Sequence, residues 1–122
     1  MTDRGNTSLR KHPVLSVDAV GAACVVRLGG ELDLYNADQV RSALAAACAE
    51  APERIVIDLS EVEFIDSTAL GILIETRTKL NNRGGLLLAA PGLETRRALQ
   101  ISGLDRLLTV HDTVPEALVA KL

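Results

Sequence analysis

Aromatic side chains are almost absent from this sequence. Its 122 residues include one Phe, one Tyr and no Trp. Proteins that bind single-stranded nucleic acids usually stack bases on aromatic rings, so this scarcity argues against such an activity. The formal net charge of −3 also gives no electrostatic reason to bind phosphate backbones, which requires clustered Lys and Arg. We therefore expect no nucleic acid partner, and a core built from Leu, Ile, Val and Ala.

Long apolar runs and a secretory signal are missing as well. No uninterrupted apolar stretch approaches the roughly 18 residues that a membrane-spanning helix requires. Residues 1–13, MTDRGNTSLRKHP, carry charges but no apolar segment behind them, unlike a signal peptide. The length suits one domain rather than two. We interpret residues 1–13 as a flexible polar tail, residues 14–122 as a single domain, and the protein as cytoplasmic, with no membrane partner.

Histidine and cysteine are too few and too scattered to indicate a metal site or an enzyme. His12 and His111 are not at metal-ligand spacing, and Cys24 and Cys48 form no CxxC pair. In a cytoplasmic chain such cysteines are usually reduced and buried, and a redox disulfide is the alternative. No glycine-rich phosphate motif is present, and no motif places a base beside Ser67. We predict a protein without catalytic activity, metal or cofactor.

Strand-like and helix-like segments alternate along the rest of the chain. Gly21 separates two extended runs and predicts a hairpin. This order predicts an α/β (α+β) domain, with a mixed sheet of four to five strands and about four helices packed on it. The predicted strands are 15–20, 22–28, 54–60 and 86–90, with 107–110 as a last strand or an extended connector. The predicted helices are 37–50, 67–82, 93–102 and 113–122.

Polar residues and glycine mark the expected helix ends. Asn36 with Gln39 three residues later resembles a capping box, and Thr113 with Glu116 has the same spacing. Gly103 follows a helix at the position where a left-handed residue is wanted. These positions predict three helix boundaries.

The segment EFIDSTALGIL, residues 63–73, places three small polar residues between apolar runs. Asp66 or Ser67 is expected to cap the helix that follows, an interaction worth about 1 kcal/mol. The apolar arc of that helix covers more than half its circumference, wider than the roughly 100° of a one-sided surface helix. Part of the arc is therefore a candidate interaction surface. A phosphate on Ser67 would also be tolerated, because a helix N-terminus offers free N–H donors and partial positive charge.

The runs GELDLYNADQVRSAL and VIDLSEVEFIDSTALGIL resemble the anti-sigma factor antagonist family, the stand-alone STAS domains of bacteria. The resemblance extends from about Leu15 to the C-terminus. Its specific part is Asp-Ser-Thr-Ala-Leu-Gly, residues 66–71, which follows a strand and a short loop. The family phosphorylates the serine directly after the Asp, so the resemblance implies that Ser67 is a phosphorylation site.

The resemblance also implies a partner-switching role in transcription and stress response. The unphosphorylated protein would bind an anti-sigma factor and so release a sigma factor. That anti-sigma factor is itself an ATP-dependent serine kinase, and a metal-dependent serine phosphatase reverses its action. ATP and metal would then belong to the partners, and the chain would be a monomer or weak dimer. The alternative is a STAS docking subunit of a lipid-transport ATPase, or a stress-signalling scaffold, without a phospho-switch.

The expected partner-binding surface surrounds the phosphorylation site. Asp33 and Asp58 are expected on the same rim as Ser67, each as a partner contact or as a carboxylate that fixes a turn. Asp66 either positions the kinase's metal or caps the helix. Thr68 is either a minor phosphosite or a structural residue of the first turn. The predicted partner-binding residues are Asp33, Asp66, Ser67, Thr68, Leu70, Gly71 and Ile74.

Overall fold

A mixed five-stranded sheet with helices on both faces forms the domain, and it confirms the predicted fold class. The computed structural model describes residues 12–80 and 85–122. Most of the predicted tail, and the predicted end of the second helix at 81–82, lie outside these residues. The strands are β1 (Val14–Val20), β2 (Ala23–Leu32), β3 (Arg54–Ile65), β4 (Gly85–Ala89) and β5 (Thr109–His111). The helices are α1 (Ala37–Ala49), α2 (Ser67–Leu80), α3 (Leu93–Ser102) and α4 (Val114–Val119).

The strands lie side by side in the order in which they occur in the chain. β1 and β2 are antiparallel and joined by a tight turn, in which Gly21 has a φ of +61°. This confirms the predicted hairpin. The remaining neighbours, β2 to β5, are parallel, because a helix connects each to the next and returns the chain to the same edge. A short 3₁₀ turn, Leu104–Arg106, precedes β5.

Strand β3 is longer than the sequence predicts. It was expected to end at Ser60, with a short loop before the helix, but it continues to Ile65. The last part of β2 provides the partner for these extra residues, and irregular register on either side of Gly29 and Gly30 accommodates the longer strand. β2 and β3 therefore extend as a two-stranded ribbon beyond the end of β4, whose last residue pairs with Asp58.

Asp58 consequently lies within the sheet, and its predicted place on the rim beside Ser67 is wrong. Its neighbours across the sheet are Arg27 on β2 and Ala89 on β4. The Arg27 Nε lies 3.4 Å from Asp58 Oδ2, and Asp58 Oδ1 accepts a hydrogen bond from the Ser60 N–H. The carboxylate thus forms an ion pair and shapes the strand locally.

The two faces of the sheet carry separate cores. The larger core lies beneath α1, α2 and α3, and Leu44, Leu73 and Leu99 are among the deepest residues that these helices contribute. The smaller core lies beneath α4, where Ala117 packs on the opposite face. Continuous apolar strands are expected where both faces are covered, and the buried run from Ile55 to Leu59 fits this expectation.

Helix ends agree with the sequence at two of the three marked positions. Thr113 Oγ1 accepts a hydrogen bond from the Glu116 N–H, which confirms the cap of α4, although α4 ends at Val119 rather than Leu122. Gly103 adopts the predicted left-handed conformation after α3. The capping box at Asn36 is wrong, because its side chain bonds to the preceding turn and not to α1.

Both cysteines are free and half-buried against the larger core. Burial raises the pKa of the Cys24 thiol, and the nearby Asp18 carboxylate and Cys48 raise it further. Burial also raises the pKa of Cys48, although the Lys79 ammonium opposes this effect. A raised pKa leaves less of the reactive thiolate at neutral pH, so both residues behave as small apolar side chains.

Candidate functional site

The candidate site lies at the tip of the ribbon formed by β2 and β3. Leu32 and Ile65 are paired at this tip, and the Asp66 N–H donates to the Leu32 carbonyl over 3.0 Å. The chain that leaves β2, residues 33–36, therefore lies beside the start of α2. This places Asp33 near the segment that contains Ser67, as the sequence predicts.

Asp66 connects these two chain segments through its carboxylate. Oδ1 accepts a hydrogen bond from the Ala69 N–H at 3.0 Å, the geometry of an N-terminal helix cap. Oδ2 accepts a hydrogen bond from the Leu34 N–H at 3.1 Å. Of the two predicted capping residues, Asp66 is therefore the one that caps α2. The same side chain also fixes the turn after β2.

A tight hydrogen-bonded turn holds residues 33–36 in place. Asp33 Oδ1 accepts from the Tyr35 N–H at 3.0 Å, and Asn36 Oδ1 accepts from the Asp33 N–H at 2.9 Å. Asn36 is buried and also donates through Nδ2 to the Glu31 carbonyl at 2.7 Å. The Asp33 carboxylate thus has the turn-fixing role that was one of its two predicted roles.

The turn projects two apolar side chains that the sequence analysis missed. Leu34 is 65% exposed and Tyr35 is 84% exposed. The sequence feature that could have indicated this pair is the single tyrosine of the chain, which lies in a polar turn between a strand and a helix. An exposed apolar pair at this position adds contact area beside the predicted phosphorylation site.

Ser67 is the first residue of α2 and is exposed to solvent. Its hydroxyl makes no hydrogen bond to any part of 12–80 or 85–122. Gly71, one turn further along, is also exposed, and Ile74 is half-buried on the same outer line of the helix. Thr68 is half-buried at the edge of this line. These predicted partner-binding residues thus lie on one accessible strip.

Leu70 does not belong to that strip. The predicted partner-binding role fails for it because the side chain is only 8% exposed and packs in the larger core. The wide apolar arc of α2 has the same explanation, since the helix lies against both α1 and the sheet. The residues of the arc that are buried are Ala69, Leu70, Ile72, Leu73 and Thr76.

Gly71 is not required by packing within the domain. A Cβ built on it would meet no atom of the described residues within 4 Å, and its backbone is ordinary α-helix. Gly71→Ala is therefore expected to stabilise the fold by about 0.5–1 kcal/mol, the difference in helix propensity between the two residues. Urea unfolding of the two proteins measures this difference.

Gly29→Ala provides the contrasting variant. There a Cβ would approach Leu15 Cδ1 to 2.8 Å, so no gain in stability is expected. A Gly71→Ala protein less stable than the parent would contradict the packing described here. A glycine that costs helix stability without an internal reason suits a surface that a partner approaches closely.

The described residues give no sign of a resident metal or a membrane span. Within 12–80 and 85–122, no group of three or more His, Cys, Asp or Glu side chains is arranged to hold a metal ion. None of the helices in this part of the chain is long and apolar enough to cross a membrane.

The family model of the STAS domain matches residues 15–117 of this chain. The chain therefore belongs to the STAS domain family. The resemblance that the sequence carries around Ser67 is thereby confirmed at the level of the family.

Two relatives of the chain are named as anti-sigma factor antagonists. The anti-sigma-F factor antagonist RsfB of Mycobacterium tuberculosis is 37% identical over 94 residues, 77% of each chain. The crystal structure of an anti-sigma factor antagonist from Mycobacterium paratuberculosis superposes with a TM-score of 0.80 at 37% identity, over 84% of this chain and 88% of that one.

A third relative, SpoIIAA, has been solved in two chemical states. Its unphosphorylated form is 27% identical, with a TM-score of 0.73 over 84% of this chain and 90% of that one. Its phosphorylated form, from Bacillus, is 26% identical, with a TM-score of 0.65 over 84% of this chain and 95% of that one. Phosphorylation is thus part of the chemistry of one relative of this fold.

Proposed function

We propose that this protein is an anti-sigma factor antagonist that Ser67 phosphorylation switches off. The unphosphorylated form binds an anti-sigma factor with serine-kinase activity, and this binding releases a sigma factor. A metal-dependent serine phosphatase restores the active form. The observation that carries the proposal is the exposed Ser67 hydroxyl, which bonds to none of the described residues and lies at the start of a helix that Asp66 already caps.

The local structure around Ser67 suits repeated addition and removal of a phosphate. The Ser67 hydroxyl makes no hydrogen bond to the described residues, so its modification breaks no hydrogen bond among them. The first-turn N–H groups of Ser67 and Thr68 have no carbonyl partner within the helix, and they lie at its positive end. A phosphate of about −1.5 to −2 charges at pH 7 is therefore accommodated without unfolding α2.

The phosphate instead weakens the complex with the anti-sigma factor. A kinase must bring the γ-phosphate of ATP to the Ser67 hydroxyl, so the nucleotide phosphates face this serine in the bound state. A phosphorylated serine at the same place would meet negative charge in a desolvated interface. Juxtaposed like charges cost several kcal/mol, and each 1.4 kcal/mol weakens binding tenfold.

Asp66, Asp33 and Gly71 support the serine in different ways. Both Asp66 carboxylate oxygens already bond to backbone N–H groups, which favours its capping role over metal positioning. Asp33 holds the adjacent turn and remains a proposed partner contact. Gly71 lies one helical turn from Ser67, where the absence of a side chain lets a partner surface come close.

Phosphate transfer onto Ser67 tests the proposal directly. A Ser67→Ala bait, which cannot be phosphorylated, is expected to capture a small ATP-binding anti-sigma factor from lysate of the source cells. That factor, purified and supplied with Mg-ATP, is expected to add one phosphate to the wild-type chain, and mass spectrometry of the digest would place it on Ser67.

Two matched variants complete the assay. Thr68→Ala is expected to accept the phosphate normally, and Ser67→Ala is expected to accept none. Capture of a transport ATPase with no phosphate transfer would contradict the proposal and support the docking-subunit alternative.

A further inference from the structure

We propose that Leu34 and Tyr35 insert together into an apolar pocket of the anti-sigma factor and provide the main apolar anchor of that complex. This inference rests on the proposed function and names a second part of the same binding surface. No residue of the α2 strip supplies a comparable apolar side chain, because Ser67 and Gly71 are small and Ile74 is half-buried.

The exposure of the pair is the first observation behind this proposal. Tyr35 is the most exposed of the large apolar side chains in the described part of the chain, at 84%, and Leu34 beside it is 65% exposed. Tyrosine presents a large area at a low cost in side-chain entropy and is enriched among the residues that dominate interface energies. An exposed leucine alone is ordinary, but the pair at one turn forms a small apolar patch.

Rigidity is the second observation. Three hydrogen bonds hold the backbone beneath the pair: Leu34 N–H to Asp66, Tyr35 N–H to Asp33, and Asp33 N–H to Asn36. A turn fixed before binding loses little conformational entropy when a partner covers it.

The third observation is that the turn adjoins Ser67, and this identifies the protein that binds Leu34 and Tyr35. The Asp66 carboxylate bonds at once to Leu34 and to Ala69, so it joins the turn to the helix that begins with Ser67. A protein whose active site reaches the Ser67 hydroxyl therefore also covers the turn. The kinase that modifies Ser67 and the protein that receives Tyr35 are accordingly one and the same.

The charged residues around the turn indicate the charge of the partner's surface. Glu31 and Asp38 flank the turn and are exposed, and Asp33 and Asp66 lie beneath it. Arg41 is a nearby cation, and it already contacts Asp38 and Glu75. We therefore expect Lys or Arg side chains around the apolar pocket on the partner.

The test uses the anti-sigma factor that the Ser67→Ala bait captures. Once this factor is purified, isothermal titration calorimetry measures its affinity for each variant of the chain. Tyr35→Ala is expected to weaken binding about 30-fold and Leu34→Ala about tenfold, as for central interface anchors. Tyr35→Phe keeps the ring and is expected to stay within about threefold of wild type. All three variants keep the backbone N–H groups that hold the turn, so the fold is expected to survive, and circular dichroism checks this.

Val119→Ala is the matched control, because Val119 is 83% exposed and belongs to α4 on the opposite face of the sheet. It is expected to bind as wild type does. Normal binding by both Tyr35→Ala and Leu34→Ala, together with weak binding by Ser67→Glu, would overturn this inference and leave the proposed function intact. Normal binding by Ser67→Glu as well would overturn both.

The competing hypothesis is that Leu34 and Tyr35 bind a second copy of this chain. Sedimentation of wild type and Tyr35→Ala distinguishes it, since a self-interface would dissociate in the variant. Loss of self-association at unchanged affinity for the anti-sigma factor would overturn the inference.

Discussion

Ser67→Glu is expected to bind the anti-sigma factor about 100-fold more weakly than Ser67→Ala, equivalent to about 2.8 kcal/mol. Alanine removes a hydroxyl that bonds to nothing within the described chain, so it leaves the surface close to the unphosphorylated state. Glutamate places a carboxylate at the start of α2, where the helix tolerates it well. The loss should therefore appear in binding and not in stability, and calorimetry with thermal unfolding measures both.

Thr78→Glu is the matched control for this comparison. Thr78 is exposed on the same helix, about 16 Å further along it. The variant carries the same added charge as Ser67→Glu but not at the proposed phosphorylation site. Equal affinities of Ser67→Ala and Ser67→Glu would refute the switch, and an equal loss in Thr78→Glu would reduce it to an effect of net charge.

Arg54→Ala is expected to destabilise the domain by about 3 kcal/mol. The buried Arg54 guanidinium donates through one nitrogen to the carbonyls of Ala117 and Ala120, at 2.8 and 2.7 Å. These carbonyls lie at the end of α4, where no intrahelical donor remains. A helix as short as α4 is not stable on its own, so its position depends on such tertiary contacts.

Urea unfolding and hydrogen exchange of the α4 amides test this prediction. Without Arg54, α4 is expected to leave the sheet, so its amides should exchange faster than those of α1. Arg96→Ala is the matched control, because the ion pair between Arg96 and Asp112 is solvent-exposed and worth less than about 1 kcal/mol. A similar small loss in both variants would show that Arg54 does not hold α4.

Local patterns in the sequence predicted most of the fold correctly. The hairpin at Gly21 and the left-handed Gly103 follow from backbone properties that a single residue carries. The cap of α4 at Thr113 likewise needs only neighbouring residues. The strip of Ser67 and Gly71 followed from the helical period, since residues four apart share a face.

Errors arose where a distant segment of chain decides the structure. Leu70 was assigned to the surface because the sequence does not show which side of α2 the larger core covers. Asp58 was placed at the end of a strand because the sequence does not show that the end of β2 extends β3. Asn36 followed a capping pattern, yet its side chain bonds to the turn before the helix. The role of Arg54 was missed for the same reason, since its partners lie 63 and 66 residues further along the chain.

The two bonds of the Asp66 carboxylate have a consequence for inhibitor design. The surface around Ser67 consists of segments 32 residues apart in the sequence, and Asp66 joins them only in the folded domain. A linear peptide that copies residues 61–80 would contain the serine but lack both Tyr35 and the bond that orients it. Mimicry of this protein therefore requires a discontinuous epitope, such as a scaffold that displays the turn and the helix start together.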